Sequence, residues 1–122
     1  MTHLLVTGGR SYPDRARVFA ELDRRAPDLV LHGGAGGADR WAGEWADDRG
    51  IPCISMSAPW KRLQKAAGPT RNGWLLTVAM RLAQDHARLV VLAFPGGDGT
   101  ADMVRRAWAV GVEIIHITGE ST

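Results

Sequence analysis

Glycine gathers at three short stretches of this chain, and each has residues beside it that recognise anions or hydroxyls. The stretches are TGGR at Thr7 to Arg10, HGGAGGADR at His32 to Arg40 and PGGDGT at Pro95 to Thr100. A backbone without side chains lets a ligand come close, and its N–H groups, with those of a following helix, surround an anion. Phosphate is the natural guest. Arg10 follows the first turn, Asp39 and Arg40 close the second, and Arg71-Asn72 follow AAGPT further along. An arginine fork matches phosphate or carboxylate geometry, and an aspartate accepts hydrogen bonds from ribose hydroxyls. The candidate ligand-binding residues are therefore Gly8, Gly9, Arg10, Gly33, Gly34, Asp39, Asn72, Gly96, Gly97, Asp98, Gly99 and Thr100. Asp98 would repel a phosphate if it pointed into the cradle, so it is expected to point outward or toward a ribose. Glycine at a strand-to-helix turn also has a purely steric use, and the charged residues have alternative roles as caps or surface ion pairs. There is no GxxxxGK[ST], and no GxGxxG follows the first apolar run, so the chain is not an evident P-loop NTPase or standard dinucleotide dehydrogenase.

Positioning these turns is the task of the elements around them. Five apolar runs rich in β-branched residues read as strands: 3–7, 28–32, 51–56, 88–94 and 112–117. Between them, helical spacing covers 13–25, 38–49, 72–86 and 100–110, leaving 57–71 as a loop or broken helix. Ser11 is placed to cap the first helix, and Gly50 and Gly111 sit where left-handed C-caps belong. Such alternation predicts an α/β fold, a Rossmann-like three-layer α/β/α arrangement with a mainly parallel five-stranded sheet. In that fold the three glycine turns all leave the carboxyl ends of strands, where ligands bind. Trp41 and Trp45 are expected to pack on the sheet, Trp60 to cover a ligand, and Trp74 and Trp108 to pack or to form an oligomer face. His32 either touches ligand or holds backbone.

With 122 residues, 45% hydrophobic and 23% charged, the chain suits one domain spanning 1–122. A single cysteine, Cys53, excludes an internal disulfide, and no Cys/His cluster has zinc spacing, so neither metal nor cofactor is expected. With no signal peptide and no apolar run near 20 residues, the chain reads as cytoplasmic with no membrane partner. The net charge of +2 suits a phosphate-bearing small molecule and makes nucleic acid an unlikely partner.

The stretches VTGGRSY, HGGAGGADRWAGEWA, KAAGPTRN and VVLAFPGGDGTADMVRRA, in this order, resemble the YspA-like branch of the SLOG superfamily. That superfamily includes the Lonely-guy nucleotide phosphoribohydrolases and the SMF/DprA DNA-processing proteins. The resemblance implies a domain whose glycine turns bind a nucleotide or nucleotide-derived ligand, as a homodimer or higher homo-oligomer. In the Lonely-guy enzymes PGGxGTxxE holds phosphate and supplies a catalytic glutamate, assisted by an arginine from the preceding helix. The arginine maps onto Arg71. The glutamate position is Met103 here, and Asp102, the nearest carboxylate, points about 100° away around a helix. Three functions remain open: a nucleotide-binding sensor, an N-glycosidase with Arg71 and Asp102 as catalytic candidates, and a single-stranded DNA-binding module.

Overall fold

The computed structural model describes residues 1–118. Five strands, β1 (Thr2–Thr7), β2 (Leu29–His32), β3 (Cys53–Ser55), β4 (Arg88–Ala93) and β5 (Glu113–His116), form one sheet. Its order is β3-β2-β1-β4-β5 and every pairing is parallel. The helices are α1 (Arg15–Arg25), α2 (Ala38–Arg49), the short α3 (Trp60–Leu63), α4 (Ala67–Ala83) and α5 (Asp98–Ala109). This is the expected Rossmann-like α/β/α layering.

Successive strand residues feed opposite faces of the sheet. Leu4, Val6, Val30, Val90 and Leu92 pack with Val18 and Leu22 of α1 and Ala42 and Trp45 of α2. Leu5, Leu31 and Val91 pack with Leu75, Leu76 and Ala79 of α4 and Met103 and Ala107 of α5. The central strands are buried on both sides, which is why they read as unbroken apolar runs. The edge strands β3 and β5 are partly exposed.

Local details depart from expectation in three places. The N-cap of α1 is Asp14, whose carboxylate accepts from the Arg17 N–H at 2.9 Å, and not Ser11. Residues 57–71 are mostly helical: α3, a 3₁₀ turn at Gln64–Ala66, and an α4 that starts at Ala67 and not at residue 72. Pro69 does not break α4 because it stands in the first turn, where its missing N–H has no intrahelical partner to lose. Finally, α5 starts at Asp98, two residues before Thr100. Gly50 and Gly111 do adopt the left-handed backbone, with φ of 68° and 74°.

Candidate functional site

Strand order reverses between β1 and β4, and the turns leaving these two strands meet there. The Gly9 N–H donates to the Pro95 carbonyl at 2.9 Å, and a Cβ built on Gly96 would lie 2.6 Å from the Gly9 nitrogen. The second turn joins from the other side: the Ala38 N–H donates to the Gly9 carbonyl at 3.3 Å, and a Cβ on Gly37 would collide with that carbonyl oxygen. Glycine at these positions lets one turn touch another. By contrast, a Cβ at Gly97 or Gly99 would meet nothing within 4 Å.

The turns differ in what their N–H groups have left to offer. In the second turn, the Asp39 carboxylate accepts from Gly33 at 3.0 Å and Ala35 at 3.3 Å, and His32 Nδ1 accepts from Gly34 at 2.9 Å. His32 thus holds backbone, and burial pushes its pKa down, helped by the charge of Arg71. In the third turn, no side chain caps α5, and the N–H groups of Gly97, Asp98, Gly99 and Thr100 have no acceptor among the described residues. That helix N-terminus is the turn whose donors are left for a partner from outside the chain.

A crevice of about 420 Å³ lies over the switch point. Gly8, Gly9, Arg10, Asp39, Arg71, Asn72, Gly97, Asp98, Gly99, Thr100 and Asp102 all line it. Gly33 and Gly34 line an adjoining chamber instead, and Gly96 lies outside the crevice wall. Trp60 stands at the rim, half-exposed, with the Arg10 guanidinium 4.5 Å from its ring centroid. Lys65, Gly68 and Pro69 also line the crevice. They lie in KAAGPTRN, whose lysine and first α4 turn could be assigned to the site only once α4 is seen to start at Ala67.

The floor of the crevice is a continuous polar chain. Arg71 is only 8% exposed. It donates through Nη1 to the carbonyls of Gly33 and Met56, and through Nε to Asn72 Oδ1 at 3.0 Å. Asn72 Nδ2 donates in turn to the Gly99 carbonyl at 3.1 Å and to Asp102 at 3.0 Å. Asp102 also accepts from Arg106 at 2.8 Å and Arg105 at 3.2 Å. Burial pushes the Asp102 pKa up, but hydrogen bonds from Arg106 and Asn72 and the charges of Arg106 and Arg105 outweigh it, so the carboxyl titrates below its usual range. Asp39 goes the other way. It is 5% exposed, and burial raises its pKa to about 6 despite its two backbone donors and the nearby Arg71 and Arg10. Met103, 1% exposed, belongs to the core beneath α4, so the position that holds a glutamate in Lonely-guy enzymes does not face the crevice.

A second concavity, an open apolar groove of about 1110 Å³, runs between α5 and the edge strand β5 past Val104, Trp108 and Ile114. It meets the crevice only at Gly97 and Thr100, and the chemistry converges in the crevice. Among the described residues no group of three or more His, Cys, Asp or Glu is placed to hold a metal ion.

Strand order, glycine edge and switch-point crevice define a Rossmann-like α/β protein of the kind that presents a polar cleft at the carboxyl ends of its strands. Residues 2–63 match the profile of the YspA, cpYpsA-related SLOG family. The chain is also 34% identical over 128 residues to the Gene 61 protein of Mycobacterium phage D29, covering 95% of this chain and 96% of that protein. The chain belongs to this SLOG family. Its fold is similar to the crystal structure of TM1055, a structural-genomics target, with a TM-score of 0.65 at 16% identity over 93% of this chain and 72% of that one.

Proposed function

We propose that the crevice binds a nucleotide, its phosphate on the N-terminus of α5 and its ribose hydroxyls toward Asp39 and Asp102. The observation that carries this reading is the set of free N–H groups at Gly97 to Thr100, facing a cavity of about 420 Å³, with Arg10, Lys65 and Arg71 in its wall. The volume suits a small polar ligand, and three cations beside three carboxylates suit a molecule with both phosphate and hydroxyl groups. Trp60 at the rim offers a ring face to a base. Calorimetry against AMP and other nucleotides tests the proposal. Saturable binding is expected, and no heat from any nucleotide at millimolar concentration would end it.

One observation favours cleavage as a second reading. Asp39 and Asp102 line the same crevice, and their surroundings push their proton affinities apart, which is the arrangement that divides acid and base roles between two carboxyls. N-glycosidic cleavage breaks the C1′–N bond and needs a carboxylate against the developing oxocarbenium ion, a proton for the leaving base, and a water that adds its hydroxyl to C1′ and returns a proton to the acid. Asp102 would serve as the first, Asp39 as the source of the second, and Arg71 would orient both through Asn72 and its charge. Chromatography of nucleotide incubations should then show free base, lost in Asp39→Asn and in Asp102→Asn. Intact nucleotide after long incubation with the wild type leaves binding alone.

A further inference from the structure

A second chamber of about 300 Å³ adjoins the crevice, walled by Arg10, the glycine loop 33–36, Ser57, Trp60 and Arg71. The two cavities share Arg10, Ala35, Trp60 and Arg71, so the stacked Arg10–Trp60 pair stands at the boundary. Their charge differs. The crevice wall sets Arg10, Lys65 and Arg71 against Asp39, Asp98 and Asp102, whereas the chamber wall has two arginines and no carboxylate.

The chamber keeps three groups with donors to spare, Arg71, Arg10 and Ser57. Arg71 uses Nε and Nη1 on Asn72, Gly33 and Met56, and its Nη2 has no partner among the described residues. Arg10 makes no ion pair among the described residues and is held by its stack on Trp60. The Ser57 hydroxyl stands 3.0 Å from where a Gly34 Cβ would be, beside the loop and without a partner of its own among the described residues. The loop itself is fixed by Asp39 and His32 through the N–H groups of Gly33, Gly34 and Ala35. Two guanidinium groups and a hydroxyl around a concavity without a carboxylate favour an anion, because arginine presents forked donors that match phosphate oxygens.

We propose that this chamber is a second anion subsite, and that the ligand is a nucleotide carrying two separated anionic groups. One sits on the N-terminus of α5. The other sits under Arg10, Arg71 and Ser57, with the Arg10–Trp60 pair astride the link. This rests on the nucleotide reading of the crevice and narrows it, since a nucleoside monophosphate uses only one of the two subsites.

Calorimetry with AMP, adenosine 3′,5′-bisphosphate and the dinucleotide pApA tests it, on the wild type and on Ser57→Asp. Ser57 is exposed and lines the chamber but not the crevice, so the variant adds its carboxylate on the chamber side of the shared Arg10 and Arg71. At least one probe with two phosphate groups should bind the wild type about tenfold or more tighter than AMP, equivalent to one charge-assisted contact. In Ser57→Asp, with an unchanged melting temperature, that preference should fall to about twofold while AMP affinity holds. Equal binding of all three probes by the wild type, or a preference that survives Ser57→Asp, overturns the subsite and leaves the nucleotide reading standing. Absence of binding by all three overturns both.

Discussion

A methyl group added at Gly37 would strike the Gly9 carbonyl oxygen and lie 2.7 Å from the Arg10 carbonyl carbon, on a backbone with φ of 61°. At Gly97 the same atom meets nothing within 4 Å. Gly37→Ala should therefore destabilise the fold by about 3 kcal/mol or more, from strained backbone and overlap together. Gly97→Val should melt with the wild type and bind nucleotide at least about tenfold more weakly, by crowding the anion cradle. Thermal unfolding and calorimetry on both variants check the pair. Asp39 gives a pH signature with a definite sign. Its folded pKa of about 6 lies above the ordinary 3.8, so between those values the folded chain keeps a proton that the unfolded chain has released. Stability contributed by that proton is present below the lower value and is lost as pH rises through about 6. The loss amounts to about 3 kcal/mol. Glu21, Asp102 and Glu113, whose carboxyls titrate below their usual range, change stability in the opposite sense in both proteins, so urea unfolding from acid to neutral pH should show the wild type losing stability relative to Asp39→Asn. Parallel profiles would refute it.

Among the elements, α4 and α5 are coupled at their N-terminal ends by one buried amide. Asn72 holds the Gly99 carbonyl and the Asp102 carboxylate while receiving Arg71. Asn72→Ala leaves buried donor and acceptor atoms unpaired, which costs about 1–3 kcal/mol. The accompanying effect should be local: faster hydrogen exchange over the first turns of α5, with the far end of that helix unchanged. Uniform exchange along α5 would show that the amide does not position the cradle. Much of this scaffold was legible beforehand, because runs such as LVVLAF and the helical spacing between them are direct imprints of burial on both sheet faces. The start of α4 was not. Pro69 and Gly68 read as breakers until the first turn absorbs them, and with that turn went Lys65 and the rim of the crevice. Arg71, Asn72 and Asp102 were legible as polar residues near glycine turns, but their linkage depends on long-range packing that spacing does not encode. Nor could spacing tell glycines that separate turns from glycines that line the crevice.

Across the whole molecule about half of the basic residues are paired with acids. Glu21 takes Arg17, Arg24 and Arg25; Asp23 takes Arg49; Glu113 takes Arg88; Asp102 takes Arg105 and Arg106. Lys61, Arg62 and Lys65 are exposed and make no ion pair among the described residues, and a net charge of only +2 gives a weak overall attraction for single-stranded DNA. No described helix is long and apolar enough to cross a membrane. Trp108 is exposed at 80% beside the groove between α5 and β5, with Val110 also exposed. We propose self-association through this face of α5. Trp108→Glu should keep the monomer's stability within about 0.5 kcal/mol, as for other surface changes, and shift sedimentation toward the monomer. A wild type that sediments as a monomer at all concentrations removes the proposal. The interlocked turns have a longer consequence. Gly37 and Gly96 are pressed against neighbouring turns and lie outside the crevice wall, so a descendant that had abandoned its ligand would still be bound to keep them in order to fold. Gly97 and Gly99 carry no such debt, and in any lineage of this fold they would be the first glycines to drift once the cleft fell out of use.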